Sequence, residues 1–299
     1  MSVDLISVIV LSYNNNVNIT VESVVRQDYP GLELIVIDDG STKFNKQDLV
    51  NRLETNKKEN LLRYQIIIND SNIGTVRSLN RAISVSTGKY IKIIAGDDYL
   101  KDTTALSVYY QTIISQSCDA VVSRILFCSE NGCFESASCS AYNEMNNEEL
   151  YKKLIVNSII SAPAVLIKRE LVSDKYRFDE HYRLVEDWPQ WIKLIKDGKK
   201  FYWMEDILVS YQMNGVSQTK GKNNHYSVFR DDLKYLYETV LLKERHLLSR
   251  YQRRVMEFYY NRRVNWMERS SVWKMMLLVC YVDVFVCEIL IKHKISKGG

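Results

Sequence analysis

The chain has 299 residues, of which 46% are hydrophobic and 25% are charged, with only 11 glycines and 3 prolines. A chain of this size and composition can bury a full core, which excludes a small cysteine-stapled module and a largely disordered protein. The formal net charge of +4 is too small to indicate a nucleic-acid-binding protein by itself.

The first hundred residues alternate between predicted strands and predicted helices. β-Branched apolar runs that stop at turn residues predict buried strands over 6–13, 32–37, 64–68 and 90–94. Apolar residues at helical spacing predict helices within 18–28, near 46–55 and near 75–86. This order predicts an α/β fold whose doubly wound, mostly parallel sheet is flanked by helices.

The pattern is coarser beyond about residue 105. It predicts a helix to about 115, strands near 120–127, 163–167, 200–204 and 207–213, and a helix near 187–197. From about residue 225 the pattern is helical throughout. We therefore predict a larger α/β domain over 1–220, followed by a C-terminal helical region over 221–299.

The six cysteines include no Cys-x-x-Cys pair, and no basic leader precedes the first apolar run, which begins at Ile6. We therefore predict reduced thiols in a cytosolic protein. Zinc binding through Cys128 and Cys133 is disfavoured because no second pair of ligands has suitable spacing.

Two pairs of adjacent acids follow predicted strands, Asp38-Asp39 after the second and Asp97-Asp98 after the fourth. Ligands in parallel sheets bind beyond the carboxyl ends of the strands, so these acids and Tyr13 are predicted to converge there. Adjacent carboxylates repel each other unless a cation or hydrogen-bond donors compensate, and Mg²⁺ or Mn²⁺ typically takes one or two carboxylates together with substrate phosphates. Each pair taken alone is equally consistent with capping of the next helix.

The joint pattern resembles a known family. The opening segments are Ser7-Val-Ile-Val-Leu-Ser-Tyr-Asn14, Glu22-Ser-Val-Val-Arg-Gln-Asp-Tyr-Pro30 and Glu33-Leu-Ile-Val-Ile-Asp-Asp-Gly-Ser-Thr42. The middle segments are Asn72-Ile-Gly74, Leu79-Asn80 and Gly88-Lys-Tyr-Ile91, which lead to Asp97-Asp98. Over roughly residues 5–215 the sequence resembles the family 2 glycosyltransferases of the GT-A fold, in particular those of bacterial O-antigen and capsule polysaccharide synthesis.

The resemblance implies that 1–220 is a catalytic domain, with a nucleotide-binding half (1–105) and an acceptor half (106–220). It implies a nucleotide-sugar donor, with Tyr13 against the base and Asp39 hydrogen-bonded to the base edge. It implies that Asp97 contacts the ribose or the sugar and that Asp98 binds the Mn²⁺ or Mg²⁺ that bridges the diphosphate. The metal neutralises the charge that develops on the leaving nucleoside diphosphate. Uridine is the expected base, so a UDP-hexose or UDP-N-acetylhexosamine is the favoured donor.

A second acidic motif, Glu186-Asp187-Trp188, opens the predicted helix near 187–197. It is similar to the family's Glu-Asp motif, which implies that Asp187 is the general base and that Glu186 and Trp188 lie on the acceptor side. A base on the face opposite the diphosphate produces inversion at the anomeric carbon. The alternative is that these acids only cap the helix dipole.

The chain departs from the family pattern at two places. Asn214 stands in Tyr211-Gln-Met-Asn-Gly-Val-Ser217 where many relatives have a histidine that helps to hold metal or diphosphate, and His225 is a weak candidate to replace it. The processive members carry Gln-x-x-Arg-Trp, whereas Gln252-Arg-Arg254 lacks the tryptophan. We therefore predict transfer of a single sugar per encounter.

The C-terminal region is basic and aromatic. Between Lys243 and Lys274 the basic residues are Lys243, Arg245, Arg250, Arg253, Arg254, Arg262, Arg263, Arg269 and Lys274, against Glu244, Glu257 and Glu268. Such a segment suits an anionic membrane surface. Residues 272–291 are long enough to span a bilayer, but Lys274, Asp283 and Glu288 make spanning costly, which favours an interfacial helix over packing on the catalytic domain.

The predicted partners are therefore a UDP-sugar donor, a polyprenyl-diphosphate-linked saccharide acceptor and an anionic membrane surface, with no nucleic acid. The expected location is the cytoplasm, peripheral at the inner face of the cytoplasmic membrane. Two alternatives are a nucleotidyltransferase of similar fold and a noncatalytic protein that binds nucleotide sugar or lipid. The first usually has a glycine-rich, basic loop after the first strand, and Tyr13-Asn-Asn-Asn16 is not such a loop.

Overall fold

The computed structural model of the chain describes residues 3–213, 224–266 and 269–287. Its first half has the predicted alternation of strands and helices. The strands are β1 (Ile6–Ser12), β2 (Leu32–Asp38), β3 (Leu61–Ile68), β4 (Tyr90–Ala95) and the short β5 (Tyr99–Leu100). The helices are α1 (Asn18–Val25), α2 (Lys46–Asn56), α3 (Thr75–Val85) and α4 (Ala105–Ser115).

The first four strands form a parallel unit in the order β3-β2-β1-β4. β1 lies between β2 and β4, and β2 is buried along its whole length, because helices cover both faces of the sheet. The register pairs Ser12 with Asp38 and Leu11 with Ala95. The turns after β1, β2 and β4 therefore lie side by side at one edge of the sheet.

The second half adds β6 (Ala120–Ser129), β7 (Gly132–Glu135), α5 (Asn147–Val156), β8 (Val165–Lys168), α6 (Asp187–Lys196) and β9 (Phe201–Gln212). β8 pairs antiparallel with both β4 and β6, whereas β9 is parallel to β6 and antiparallel to β5. All these strands join one mixed sheet. The predicted α/β architecture is confirmed, and every antiparallel pair involves a strand of the second half.

Three elements differ from the sequence prediction. β9 is one continuous strand, although exposed Glu205 and Asp206 interrupt its apolar pattern. Its pairing with β6 continues on both sides of this point because the register shifts between Val122 and Ile125. β7 and α5 were not predicted. The start of α5 is marked by a capping box in which the Asn146 side chain accepts the Glu149 N–H at 3.0 Å.

The prediction of six reduced thiols is wrong for one pair, because Cys128 and Cys133 form a disulfide. They are opposite each other in the β6–β7 hairpin, with Cα atoms 4.2 Å apart. The hairpin, which the sequence did not reveal, creates this proximity between residues that are not a Cys-x-x-Cys pair. Neither sulfur is then available to zinc.

The C-terminal region is helical, as expected. It comprises α7 (Asn224–Leu236), a π-helical turn (Tyr237–Leu241), a 3₁₀ helix (Lys243–Leu247), α8 (Arg250–Tyr260), a second π-helical turn (Asn261–Asn265), α9 (Ser271–Cys280) and a helical segment over 282–287. Its first part, including Leu236, Tyr237 and Met256, is buried in the same core cluster as Trp191 of α6. α9 instead packs on α8 in a small cluster around Phe258 and Leu277. Among the described residues, none of the helices has both the length and the apolar character needed to cross a membrane.

Candidate active site

A cavity of about 1360 Å³ opens at the sheet edge where β1 and β4 end. Its volume exceeds the ~300–1,000 Å³ typical of a site for one small ligand, so it can accommodate parts of two substrates. The lining comes from the turns after the parallel strands, the loop before α6 and the C-terminal helices. The charged residues in its described lining are Asp39, Asp97, Asp98, Glu186, Asp187, Arg262 and Arg263.

The Asp39 carboxylate connects the turn after β2 to the turn after β3. Its Oδ1 accepts hydrogen bonds from the Asn69 side chain, the Ile73 N–H and the Ser78 hydroxyl, each at 2.9 Å. Its Oδ2 accepts the Gly74 N–H at 2.9 Å. Since a carboxylate has about four acceptor positions, Oδ2 retains capacity for one more donor, such as the N–H of a base.

A glycine in each of the two turns allows a neighbouring segment to approach closely. Gly40 has φ +75° and Gly74 has φ +94°, which only glycine adopts without strain. A Cβ on Gly40 would lie 2.5 Å from the carbonyl carbon of Ser71, and one on Gly74 would collide with Arg183. The Asp-Asp-Gly and Asn-Ile-Gly motifs therefore supply a carboxylate and the close backbone approach that its hydrogen bonds require.

Asp97 and Asp98 follow β4 and differ in exposure. Asp97 is half-buried, whereas Asp98 is 1% exposed, and its Oδ1 accepts the Gln212 N–H at 2.8 Å. Burial raises the pKa of Asp98 to about 8, and the neighbouring charge of Asp97 adds to this effect. Its Oδ2 is buried and has no hydrogen-bond partner in the described structure. A buried carboxylate oxygen without a partner is costly, and a divalent cation would satisfy it.

Lys92 is a fully buried cation in the middle of β4. Its ammonium donates to the carbonyl oxygens of Pro163 and Val165 and lies 3.4 Å from the Tyr109 hydroxyl. Burial lowers the pKa of Lys92 to about 7, and the attraction of Asp98 opposes that shift. Lys92 thus anchors the 162–165 segment of the cavity lining, and when charged it attracts the Asp98 carboxylate.

Glu186 and Asp187 lie at the start of α6 and are half-buried, open to the cavity. The Asp187 Oδ1 accepts the Trp188 N–H at 2.6 Å, and the carboxylate also accepts the N–H of Ala162. Burial raises the pKa of both carboxyl groups, and the charge of Asp187 raises the pKa of Glu186 further. A carboxyl group with a raised pKa at the edge of a cavity is suited to accept a proton near neutral pH.

Asp232 of α7 fixes the loop that leads to these acids. Its Oδ2 accepts three consecutive backbone N–H groups, those of Arg183, Leu184 and Val185, at 2.8, 2.6 and 3.0 Å. Asp232 is 7% exposed, so these bonds form away from water, where a charged acceptor is strong. A C-terminal residue therefore sets the backbone position immediately before Glu186.

The remaining predicted residues also lie at the cavity. Tyr13 is half-buried in its lining, next to the β1 turn. Trp188 is 3% exposed and donates its indole N–H to the Leu154 carbonyl at 2.7 Å, so its ring is part of the structural support of the cavity. Asn214 and the side chain of His225 lie outside the described residues.

Sequence reasoning missed Lys92, Asp232 and the two arginines of the cavity. A lone lysine within the apolar run Tyr90-Ile-Lys-Ile-Ile94 was a usable signal, because a buried charge requires partners. No local signal distinguished Asp232 from exposed Asp231, nor Arg262 and Arg263 from the other basic residues of the C-terminal region.

We expect Asp98→Asn to stabilise the chelator-treated protein increasingly as the pH rises from about 4 to about 8. The folded state holds the Asp98 proton up to about pH 8, whereas an unfolded aspartate loses it near pH 3.9, so Asp98 costs stability across this window as pH rises. Scanning calorimetry at pH 5, 6.5 and 8 should show that the Tm of Asp98→Asn exceeds the Tm of the native chain, by a gap that grows with pH to a few degrees. Exposed Asp102 provides the control, Asp102→Asn. A gap that does not change with pH would contradict this account.

We expect Asp232→Ala to destabilise the fold by about 2–4 kcal/mol and to lower turnover at least tenfold, since three N–H groups lose a charged acceptor. Asp232→Asn keeps one acceptor oxygen and should be milder. Denaturant unfolding and initial rates would measure both effects. Asp231→Ala, on the same helix but exposed, is the matched control. Equal effects of Asp231→Ala and Asp232→Ala would show that the loop does not depend on Asp232.

Several known proteins share this sequence pattern. A putative teichuronic acid biosynthesis glycosyltransferase, TuaG, of Bacillus subtilis is 26% identical over 222 residues, which cover 73% of this chain and 83% of that protein. The Escherichia coli protein WfaP, named as a UDP-Glc:alpha-D-GlcNAc-diphosphoundecaprenol beta-1,3-glucosyltransferase, is 32% identical over 98 residues, covering 32% of this chain and 36% of WfaP.

Solved structures share the fold. S. aureus TarS 1-349 in complex with UDP-GlcNAc superposes with a TM-score of 0.58 at 18% identity, covering 87% of this chain and 81% of that one. The chain spans 43% of the longer TarS chain. The mannosyltransferase PcManGT of Pyrobaculum calidifontis, in complex with GDP-Man and Mn²⁺, gives a TM-score of 0.57 at 17% identity, covering 95% and 81%.

The family model for glycosyl transferase family 2 matches residues 7–174. This match begins at β1 and includes both acid pairs of the sheet edge. Because it spans more than half of the sequence, the chain belongs to glycosyl transferase family 2 and is a glycosyltransferase.

Proposed function

We propose that this enzyme moves one sugar from a UDP-sugar to a lipid-diphosphate-linked saccharide, with inversion at the anomeric carbon and without processivity. The observation that carries the proposal is that Asp97 and Asp98 from the sheet edge line the same cavity as Asp187 from the start of α6. A donor with a phosphate leaving group needs acids that can hold a cation, such as Asp97 and Asp98. An acceptor hydroxyl needs a base such as Asp187.

On the donor side, Tyr13 and Asp39 would hold the base. Asp98 would hold Mn²⁺ or Mg²⁺, since its partnerless Oδ2 fits a hard cation. Within the described ranges, no three acidic, histidine or cysteine side chains cluster as a metal cage. This agrees with ions that take one or two protein carboxylates and complete their shell with phosphate and water. Bound there, the cation would offset negative charge on the leaving diphosphate.

On the acceptor side, Asp187 would take the proton of the attacking hydroxyl. The acceptor oxygen forms a bond to the anomeric carbon while the bond from that carbon to the phosphate oxygen breaks, and the electron pair leaves with UDP. The N–H groups of Trp188 and Ala162 hold the carboxylate in place for this transfer. Attack from the face opposite the diphosphate inverts the configuration.

The names and bound ligands of the related proteins support these substrate classes. TarS was solved with UDP-GlcNAc, and WfaP is named for a sugar carried on diphosphoundecaprenol. TuaG is named for teichuronic acid biosynthesis. Surface-polysaccharide synthesis, of the O-antigen or capsule kind, is therefore the process in which we place this transfer.

A lipid-linked acceptor requires access to a membrane surface, and α9 has a face suited to it. Val272, Met275, Met276 and Val279 recur on one side of the helix and are 57–69% exposed. The helical segment over 282–287 continues the stripe with exposed Val282 and Val286. Near the start of α9, Arg269 lies against the Trp273 ring and Lys274 against the Trp266 ring. Lysine, arginine and tryptophan beside an apolar stripe favour the interface of an anionic bilayer. We therefore propose peripheral binding at the inner face of the cytoplasmic membrane.

The first experiment is a transfer assay with the full chain. UDP-glucose, UDP-galactose, UDP-GlcNAc and GDP-mannose would be offered with Mn²⁺, Mg²⁺ or chelator, and with N-acetylglucosaminyl decyl diphosphate as acceptor. We expect one UDP released per inverted product, only with metal. Asp187→Asn should lower turnover about 10²–10⁴-fold with donor affinity unchanged, and Asp98→Ala should abolish both metal dependence and transfer. Glu170→Gln, at an exposed acid outside the cavity, is the control. Full activity of Asp187→Asn would refute the assigned base.

The membrane proposal predicts that the full chain floats with phosphatidylglycerol vesicles and much less with phosphatidylcholine vesicles. Met275→Glu combined with Val279→Glu should lower the bound fraction at least fivefold, because charged side chains would have to enter the apolar layer. Ile114→Glu alters an exposed apolar residue of a different helix, α4, and should have no effect. Equal flotation of the α9 double variant would exclude this face.

A further inference from the structure

The cavity has an acidic part and a basic part. Asp39, Asp97 and Asp98 follow the parallel strands, whereas Arg262 and Arg263 come from the C-terminal region. These two arginines are the cationic side chains in the described part of the lining. A phosphate-bearing group that entered from the C-terminal side would therefore meet positive charge before it met the acids.

Arg263 is held rigidly beside the acceptor end of the site. Its Nη2 donates to the Asn157 Oδ1 at 2.6 Å, and its guanidinium lies 5.4 Å from the ring of Trp188 and 4.8 Å from the ring of Tyr259. It also lies 3.4 Å from the Tyr237 hydroxyl. Every one of these partners is neutral, so they orient the charge without cancelling it.

The backbone conformation brings Arg262 to the same surface. Both arginines belong to the π-helical turn Asn261–Asn265, a conformation that occurs frequently at functional sites. The Arg262 guanidinium lies 5.9 Å from the Phe258 ring, and Trp266, directly after the turn, also lines the cavity. The turn thus presents two adjacent guanidinium groups and an indole ring to one ligand space.

This turn links the cavity to the apolar stripe of α9. The ammonium of Lys274, on α9, lies 5.6 Å from the Trp266 ring, and Trp266 packs in the same small cluster as Leu277. At its other side, Arg263 contacts Trp188, the neighbour of Asp187. Contacts therefore connect α9 with Trp266 at the end of the arginine turn, and connect Arg263 with the neighbour of the candidate base.

We propose that Arg262 and Arg263 form a subsite for the diphosphate of the lipid-linked acceptor. The proposal rests on the function proposed above and extends it to the group between lipid and sugar. The chain of contacts matches the order of the acceptor: lipid at α9, diphosphate at the arginines, sugar hydroxyl at Asp187. Guanidinium groups bind phosphate oxygens through paired N–H donors, which suits this position.

The donor diphosphate is the other possible source of the same chemistry. Its assigned place is beside Asp97 and Asp98, at the end of β4, where a cation bound by Asp98 would neutralise it. The arginines instead contact residues around α6 and α8. A donor role for them is therefore an outcome that the experiment must be able to reveal.

The test compares two acceptors that differ only in the diphosphate, N-acetylglucosaminyl decyl diphosphate and decyl N-acetylglucosaminide. For Arg262→Gln we expect at least a tenfold rise in KM with the first acceptor, and less than a twofold change with the second. The donor KM and the rate of UDP-sugar hydrolysis without acceptor should be unchanged. Arg52→Gln removes the same charge from an exposed position on α2, outside the cavity lining, and should alter neither acceptor.

Two results would overturn the proposal. Equal losses with both acceptors would assign the arginine to packing, and a raised donor KM would assign it to the donor diphosphate. Since Arg263 is held by several contacts, Arg263→Lys, which keeps the charge, accompanies Arg263→Gln. Arg263→Gln should reproduce most of the Arg262→Gln effect, whereas Arg263→Lys, which keeps the charge but loses the paired N–H donors, should show a smaller rise in KM.

A binding measurement separates this proposal from the proposed function. Titration calorimetry of decyl diphosphate into the full chain, saturated with UDP and Mn²⁺, requires no turnover and no correct sugar. We expect binding to the native chain that weakens at least tenfold in Arg262→Gln. If no acceptor is glycosylated but this difference is found, the subsite stands while the transfer assignment fails. If transfer occurs but Arg262→Gln binds decyl diphosphate normally, the subsite is wrong.

Discussion

The parallel register of β1 with β2 and β4 is the constraint on which the site depends. Pairing Ser12 with Asp38 and Leu11 with Ala95 ends three strands at one edge. The acids at the ends of β2 and β4 are thereby brought together although they are far apart in the sequence. Because each strand is buried among apolar neighbours, a slip in register would place charged residues in the core, so the core specifies the position of the polar turns.

The parts of the molecule that sequence predicted well are those governed by local pattern. Buried strands, their turn residues and the acids after them follow from β-branched runs such as Ile6 to Leu11. What could not be predicted depends on contacts distant in sequence: the continuity of β9 across Glu205 depends on a shift in β6, and the disulfide of Cys128 depends on an unpredicted hairpin. The role of Asp232 depends on a loop that lies 47–49 residues earlier in the sequence.

The site contains buried ionisable side chains whose charged forms would be more stable in water. Asp98 is almost fully buried with one carboxylate oxygen lacking a partner, and Lys92 lies beneath it with its pKa lowered by burial. Such an arrangement reduces the stability of the empty fold and is tolerated where ligands complete the electrostatics. The acidic end is suited to a cation and a phosphate leaving group, whereas the arginines provide the opposite charge at the end lined by the C-terminal helices.

The contact of Asp232 with three N–H groups ahead of Glu186 has a consequence for how this enzyme can diverge or be re-engineered. A hybrid joined between β9 and α7 would combine the loop that leads to Glu186 and Asp187 from one parent with the anchoring helix of another. Retaining every catalytic side chain would not be sufficient, because the loop backbone would lose its acceptor unless the second parent supplied a carboxylate at the same place. The two regions therefore have to be inherited or exchanged as one unit.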